Sequence, residues 1–414
     1  MACYFWAYSF CRNTMNEQLV VKNFGPIKEA TVDFKRVTVF IGPTGGGKST
    51  LAKLAAVFSN PLFLISKQSK RAGYFADLGI DNYFNKNSSF VWVKDSNEII
   101  TDATLSFEVE SSRINRLGTL NPKSFGNTDE NLGAVLEFLS KNGVREGLPV
   151  AQSQFGLDAT MNAAKFIVNL ADTLGNTAAK YLTAERVFVA SVTYSWPGFL
   201  RDDIGLPKSL LFFANSFSTS RQLVNELEIP FLNAKYIHRE GQDYIKVPGV
   251  ETLFRLYETA SGIQSVTPLL VLLEHLSRNT EQAQSFIIEE PELNLYPTAQ
   301  QGLLNWLVEK CTKGENDLTI TTHSPYILSS CNLLLEAYKV AQQRPELADE
   351  IDKIVPRACW LNPDEFAAYY VADGTVKPIT DERTHLIGGN ELDAVSGDIS
   401  DSFRRLLQLK KQVA

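Results

Sequence analysis

The sequence predicts an α/β fold with a mixed β-sheet core, and three segments carry that expectation. Val37-Thr38-Val39-Phe40-Ile41 is an apolar, β-branched run that reads as a buried strand; a glycine-rich turn follows, then Thr50-Leu51-Ala52-Lys53-Leu54-Ala55-Ala56-Val57, of helix-forming composition. Ser285-Phe286-Ile287-Ile288-Glu289-Glu290 is a second apolar run, ending in two carboxylates. Asp317-Leu318-Thr319-Ile320-Thr321-Thr322 is a third, ending in the polar turn His323-Ser324-Pro325.

The other elements follow in chain order. Residues 1–14 carry an aromatic surplus without the basic n-region or small-residue cleavage site of a signal peptide, and read as a disordered or start-site extension. Gln18–Phe24 is a first strand, Gly25-Pro26 a turn and Ala30–Phe34 the alternating return strand of a hairpin. Residues 60–130 are mixed, with a strand expected at Thr104–Glu110, and 131–180 read as mostly helical. Residues 187–235, with helix-like and Phe-rich runs, are expected to form an insertion outside the core. A hairpin is expected at 236–247, turning at Glu240-Gly241-Gln242-Asp243, and a helix at about 265–277.

Bulk properties bound the function. The 414 residues exceed one ordinary domain, with globular values of 44% hydrophobic and 21% charged residues. A net charge of −7 does not describe a chain built to coat nucleic acid, although a local basic groove could still exist. Five scattered cysteines without a CxxC pair read as reduced thiols of a cytoplasmic protein, and no run approaches the roughly 18 apolar residues of a membrane span.

The turn after Ile41 carries the chemistry. Gly42-Pro43-Thr44-Gly45-Gly46-Gly47-Lys48-Ser49 fits G-x-x-x-x-G-K-[ST] at every fixed position, between a strand and a helix, which is the context this phosphate loop (Walker A) requires. Glycines let backbone N–H groups converge on phosphate oxygens, and the helix N-terminus adds partial positive charge. In that reading Gly42 to Thr50 cradle ATP, Lys48 bridges the β- and γ-phosphates, and the Ser49 hydroxyl ligates Mg²⁺. The strand ending in Glu289 and Glu290 follows Walker B logic: Glu289 serves the metal or its water shell, and Glu290 is the general-base or water-positioning candidate. His323 ends a core strand beyond it, where an imidazole can hydrogen-bond a γ-phosphate. Thr259-Ala260-Ser261-Gly262-Ile263-Gln264-Ser265 places small residues ahead of a helix, a second phosphate-compatible turn.

These pieces, in this order, resemble the ATP-binding-cassette (ABC) ATPase superfamily, and more narrowly the SMC/RecF-like branch of stand-alone ATPases often labelled "AAA family ATPase". Asn23-Phe24-Gly25-Pro26-Ile27 is similar to that branch's opening strand and turn. Ile288-Glu289-Glu290-Pro291-Glu292-Leu293-Asn294-Leu295-Tyr296-Pro297 is similar to its Walker B and D-loop, with Tyr296 in place of the usual histidine. Ser261-Gly262-Ile263-Gln264 resembles a shortened signature motif, Thr322-His323-Ser324-Pro325 the switch histidine, and Tyr181-Leu182-Thr183-Ala184-Glu185-Arg186 a Pro-Ala-Glu-Arg strand end with Thr183 replacing proline. The Q-loop glutamine stays open among Gln68, Gln152 and Gln154.

The resemblance implies a P-loop NTPase with an ABC-type head: a mixed sheet core, an N-terminal antiparallel β subdomain and a helical insertion. Residues 15–130 would be the N-terminal part of the head, 131–250 the mainly helical insertion or arm, and 251–414 the C-terminal part. It implies two heads sandwiching two ATP molecules in a homodimer or higher oligomer. One chain would supply Asn23, Lys48, Ser49, Glu289, Glu290 and His323, and its partner Ser261, Gly262 and Gln264. It also implies a molecular switch with a separate effector such as a nuclease, a pairing common in bacterial phage defence. No Toprim-like segment follows His323. The alternative is a RecF-like repair ATPase that clamps duplex DNA, for which Lys67–Arg71 and Arg404-Arg405 are the candidate contacts, with salt-dependent binding expected.

Overall fold

The computed structural model describes residues 17–60, 63, 66, 68–94, 97–102, 104–105, 179–192, 205–278, 283–388 and 400–407. Its strands are β1 (Glu17–Phe24), β2 (Ile27–Phe34), β3 (Val37–Ile41), β4 (Ser89–Lys94), β5 (Asn97–Asp102), β6 (Lys180–Leu182), β7 (Glu226–Ile229), β8 (Ala234–Arg239), β9 (Gln242–Lys246), β10 (Leu253–Arg255), β11 (Ser285–Glu289), β12 (Asp317–Thr322), β13 (Phe366–Ala372) and β14 (Thr375–Pro378). The helices that matter to the site are α1 (Lys48–Phe58), α2 (Gln68–Asp77), α3 (Val187–Val192), α4 (Lys208–Leu223), α5 (Ser261–Leu276), α6 (Pro297–Cys311) and α7 (Pro325–Gln343).

A ten-stranded mixed sheet runs β5-β4-β1-β2-β14-β13-β3-β12-β11-β6, and a separate four-stranded sheet runs β10-β9-β8-β7. The large sheet has two characters. β5, β4, β1 and β2 are antiparallel neighbours, whereas β13, β3, β12, β11 and β6 are all parallel. The β13–β14 hairpin joins the halves: β14 pairs with β2 at Thr375↔Glu29, and Gly374 O accepts from Lys28 N (2.8 Å) and Glu29 N (3.1 Å).

Period-2 alternation splits the core between the two faces. Val37, Val39 and Ile41 of β3 face one buried cluster with Phe286, Ile288, Leu318 and Ile320; Phe40 and Ile287 face the other, with Leu51, Leu54 and Phe58 of α1. This is why β3 and β11 read as continuous apolar runs: a parallel strand covered on both faces has no polar side. The second cluster is rich in aromatic rings, with Trp92 stacked on Phe58 at a centroid distance of 6.0 Å. Trp92 is 1% exposed. Trp92→Ala is therefore expected to cost about 3–5 kcal/mol of stability, read as a lowered urea midpoint.

The hairpins follow their turn chemistry. Glu240 (φ 53°) and Gly241 (φ 73°) form a two-residue turn with both φ positive between β8 and β9, the twist-matched geometry for a hairpin. The helix expected at 265–277 runs from Ser261 to Leu276.

One expectation is corrected, and two lie mostly outside the described residues. The described part of 187–235 is not an insertion outside the core: Leu210, Phe213, Ala214 and Phe217 of α4 share the buried cluster of β3, β11 and α5. Their spacing lets one face of a regular helix pack there, and within the arm expected over 131–250 the described residues, 179–192 and 205–250, form core helices and the strands β6 to β9. Within the strand expected at 104–110, Thr104 and Leu105 lie in no strand, and 106–110 lie outside the described residues. The helical expectation for 131–180 lies outside them too, except for 179–180, where Lys180 opens β6. No helix among the described residues is long and apolar enough to cross a membrane.

Candidate functional site

Strand register builds the site. Parallel pairing sets Tyr370 of β13 beside Ile41 of β3, Ile41 beside Thr322 of β12, and Thr321 beside Glu289 of β11. Val371, near the end of β13, and Gly42, His323 and Glu290, just past the ends of β3, β12 and β11, therefore form a row along one edge of the sheet. That edge is where open α/β sheets bind ligands.

The glycine loop starts at that edge. A Cβ on Gly42 would sit 2.2 Å from Val371 O, and one on Gly46 2.4 Å from the same oxygen, so the loop approaches β13 too closely for any side chain. Pro43, Thr44 and Gly45 are exposed, and α1 begins at Lys48 with Gly47 as its N-cap and no acidic side chain in its first turn. Ser49 is exposed at the helix N-terminus and Thr50 is buried. The loop thus presents an open, positively biased turn to an anion.

Lys48 lies back over this loop. Its ammonium donates to Gly42 O (2.8 Å) and Pro43 O (3.0 Å) and reaches His323 Nε2 (3.1 Å). Burial lowers its pKa, opposed by the carboxylates of Glu290, Glu289 and Glu292. His323 Nε2 also lies 3.3 Å from Glu290 Oε1. Burial and then the Lys48 charge lower the imidazole pKa, against Glu290. A neutral ring that accepts from the ammonium at Nε2 carries its proton on Nδ1. His323 thus touches both Lys48 and Glu290, although 275 residues separate it from Lys48.

Glu290 is held from both sides. Its φ is +41°, unusual for a residue with a side chain. Its amide donates to Thr321 O at 2.8 Å, and its carbonyl accepts from Arg186 Nη2. Arg186 is 0% exposed; its Nη1 also donates to Glu289 O (2.6 Å) and Thr183 O (3.1 Å). Burial, against four nearby glutamates, brings its pKa down to about 10, so it stays charged at neutral pH. A strained backbone at the end of a strand, clamped this way, is a common device for aiming a side chain.

Glu289 fits a cation. Its Oε1 is buried without a hydrogen-bond partner, an arrangement that is costly unless something positive completes it. Its charge is felt by Tyr181, whose phenol is pushed well above its ordinary pKa by burial and by that carboxylate. Ser49 and Glu289 are the residues that would hold Mg²⁺, which supplies charge neutralisation to a bound polyphosphate. Glu292, the third glutamate, is buried too: Oε1 accepts from Thr322 Oγ1 (2.5 Å) and His323 N (3.2 Å), and Oε2 has no partner.

The remaining expected residues sit elsewhere. Ser261, Gly262 and Gln264 open α5, and among the described residues no hydrogen bond or ion pair joins them to the glycine loop. Gln264 Nε2 is already committed to Tyr257 O (3.0 Å) and Thr259 O (2.6 Å). A Cβ on Gly262 would lie 2.6 Å from Asn294 O, so this turn packs directly on the segment after Glu290. Gly262→Ala is expected to lower the melting temperature: overpacking against backbone costs about 1–3 kcal/mol, more than the roughly 0.5–1 kcal/mol gained in helix propensity. Asn23, the residue before the last of β1, has φ 53°, and its carbonyl accepts from Ser88 Oγ (2.6 Å) and Asn85 Nδ2 (2.5 Å). Its turn reaches the loop through Ile27, whose Cδ1 lies 2.4 Å from where a Gly47 Cβ would stand. Of the Q-loop candidates, Gln68 donates to Thr104 O (2.8 Å), and Gln152 and Gln154 lie outside the described residues. Arg71 is buried and donates to Leu105 O (2.7 Å), so it is lost to the basic patch that the sequence offered for DNA. Tyr296, the D-loop tyrosine, is 76% exposed.

Sequence reasoning attached no role to Val371, Glu292 or Gln300. Gln300 bonds Leu295 O (2.9 Å) and accepts from Ser324 Oγ (2.5 Å), tying the turn after Glu290 to the turn after His323. The signal available for Glu292 and Gln300 was polar residues inside otherwise apolar helical or strand-end segments. Val371 acts through its backbone and left none.

Fold and site together define an α/β chain with a glycine loop, two carboxylates and a histidine at one edge of a parallel sheet. Residues 127–328 match the family model described as an AAA ATPase domain, and that span includes the turn at 261, both strand-end carboxylates and His323, while the glycine loop precedes it. The matched span is just under half of the chain, and over it the chain is similar to an ATPase domain. A search of curated proteins finds no match. Among solved structures the chain is similar to the SMC head domain from Thermotoga maritima (12% identity, 89% of this chain and 99% of that chain, TM-score 0.39). It is similar to the same extent to an Smc head with an extended coiled coil bound to the C-terminal domain of ScpA derived from Pyrococcus furiosus (12%, 94% and 99%, 0.38). A third is an SmcHead bound to the C-winged helix domain of ScpA (12%, 88% and 97%, 0.38).

Proposed function

We propose that this protein binds Mg-ATP at the glycine loop, hydrolyses it with Glu290 and His323, and dimerises around the nucleotide as a switch that works with a separate effector, in DNA-linked defence. The observation that carries the reading is the convergence of Lys48, His323 and Glu290 at the C-terminal ends of three parallel strands. A water-positioning carboxylate, a neutral imidazole and an ammonium, beside helix N-terminal amides, are the groups that in-line phosphoryl transfer to water needs. Lys48 is spent on the loop's own carbonyls; a polyphosphate offers it stronger, charge-assisted partners. Binding would draw Lys48 off Gly42 and Pro43 and change what His323 Nε2 faces, so the imidazole reports the γ-phosphate. Ser261 is exposed where its helix opens, and there a second chain's phosphate could meet the helix N-terminus.

The test is the light-scattering mass of the Glu290→Gln protein with and without Mg-ATP, and then with a short duplex. A doubling with ATP is the expected result. An unchanged mass would defeat the sandwich reading, and a further shift with DNA would favour the duplex-clamping alternative.

A further inference from the structure

We propose that Glu292 is a positioning residue for the hydrolytic reaction: its buried carboxylate locks the turn carrying Glu290 to the turn carrying His323, so that the two groups are presented to the nucleotide as one unit. The proposal rests on the ATPase reading above, and its ground is geometric. Glu292 is 7% exposed, and it lies two residues beyond Glu290 in the turn that leaves β11. One oxygen, Oε1, takes both the Thr322 hydroxyl (2.5 Å) and the His323 amide (3.2 Å), and these donors belong to the last residue of β12 and the residue after it. The Thr322 hydroxyl oxygen accepts in turn from Ser324 N at 2.9 Å, so the whole switch turn hangs on this carboxylate.

Among the described residues no other side chain bonds the backbone of both turns so close to the chemistry. The backbone link Glu290 N to Thr321 O (2.8 Å) stops one residue short, and Gln300 acts farther along, at Ser324. The side-chain contact between His323 and Glu290 is a single 3.3 Å approach between exposed-edge groups, which side-chain rotation alone could break. A carboxylate accepting two hydrogen bonds fixes the backbone beneath both groups instead. Arg186 completes the frame from below through the carbonyls of Glu289 and Glu290. Displacing reacting groups by about 1 Å can cost on the order of 10²-fold in rate, and two turns on separate strands need a tie to avoid it.

The experiment compares Glu292→Ala and Glu292→Gln with the parent chain by two readouts. The first is amide hydrogen exchange at His323 in the nucleotide-free protein; the second is steady-state hydrolysis, split into kcat and KM for ATP. Alanine is expected to speed exchange of the His323 amide at least tenfold and to lower kcat on the order of 10²-fold with KM nearly unchanged. Glutamine keeps an acceptor oxygen in the same place and is expected to retain the protection and recover most of the kcat. Unchanged exchange in the alanine variant, or equal losses of kcat in the two variants, would overturn the proposal, the latter because it would make the role one of charge. If the alanine form does not fold, the isosteric glutamine form decides: a loss of His323 protection there also overturns it. A parent chain without ATPase activity would defeat the ATPase reading and leave the exchange readout to judge the tie.

Discussion

Glu290→Gln is expected to lower the single-turnover rate of ATP hydrolysis by about 10²–10⁴-fold while Mg-ATP stays bound, the range associated with removing one positioned proton acceptor. The substitution is isosteric. It keeps the backbone clamp of Thr321 O and Arg186, because both contacts are to main-chain atoms of residue 290. What it removes is the charge that faces His323 at 3.3 Å and that holds up the pKa of Lys48. Nucleotide affinity is expected to hold or rise, since a carboxylate near a γ-phosphate is repulsive and an amide is not. Rapid-quench hydrolysis and filter binding on the same preparation separate the two effects. Hydrolysis at the parent rate would show that another group orients the water.

Lys48→Ala is expected to fail earlier, at binding. The ammonium is the cation that contacts the glycine loop's own carbonyls, and it sits among Glu289, Glu290 and Glu292. Without it the loop offers an incoming polyphosphate backbone amides in place of a charged side-chain donor, beside the Glu290 carboxylate. ATP affinity is expected to fall at least about 10²-fold, equal to the loss of about 3 kcal/mol, which is within reach of charge-assisted hydrogen bonds at a buried site. Isothermal titration with Mg-ATP measures it, and affinity within threefold of the parent would remove Lys48 from the phosphate site. The two variants are expected to differ in kind: Glu290→Gln holds ATP without turning it over, and Lys48→Ala does not hold it.

Much of the site could be read from the chain because the necessary signals are local. Strand, glycine loop and helix span residues 37–58 without interruption, and the loop's glycines are required within that span. The two later strands were visible as apolar runs because parallel strands buried on both faces have no polar side to hide them. The expected roles of Ser261, Gly262 and Gln264 were legible only as small residues before a helix, and Gln264 turns out to be bonded within its own turn. The stretch 187–235 misled because a helix that buries Phe213 and Phe217 against a distant sheet looks, in isolation, like any Phe-rich amphipathic segment.

By itself the sequence determined that a glycine loop opens a helix, that two acidic residues end one strand and a histidine follows another, and that these belong to an α/β chain. Only the tertiary structure decided which of them meet. Lys48 and His323 are 275 residues apart, Arg186 and Glu289 are 103 apart, and Glu292 and His323 are 31 apart. Their contacts depend on the register of β13, β3, β12 and β11, and a one-residue slip would turn every inward side chain to the opposite face. Register is a property of strand pairs, set by packing against two cores at once, so no single stretch of the chain contains it.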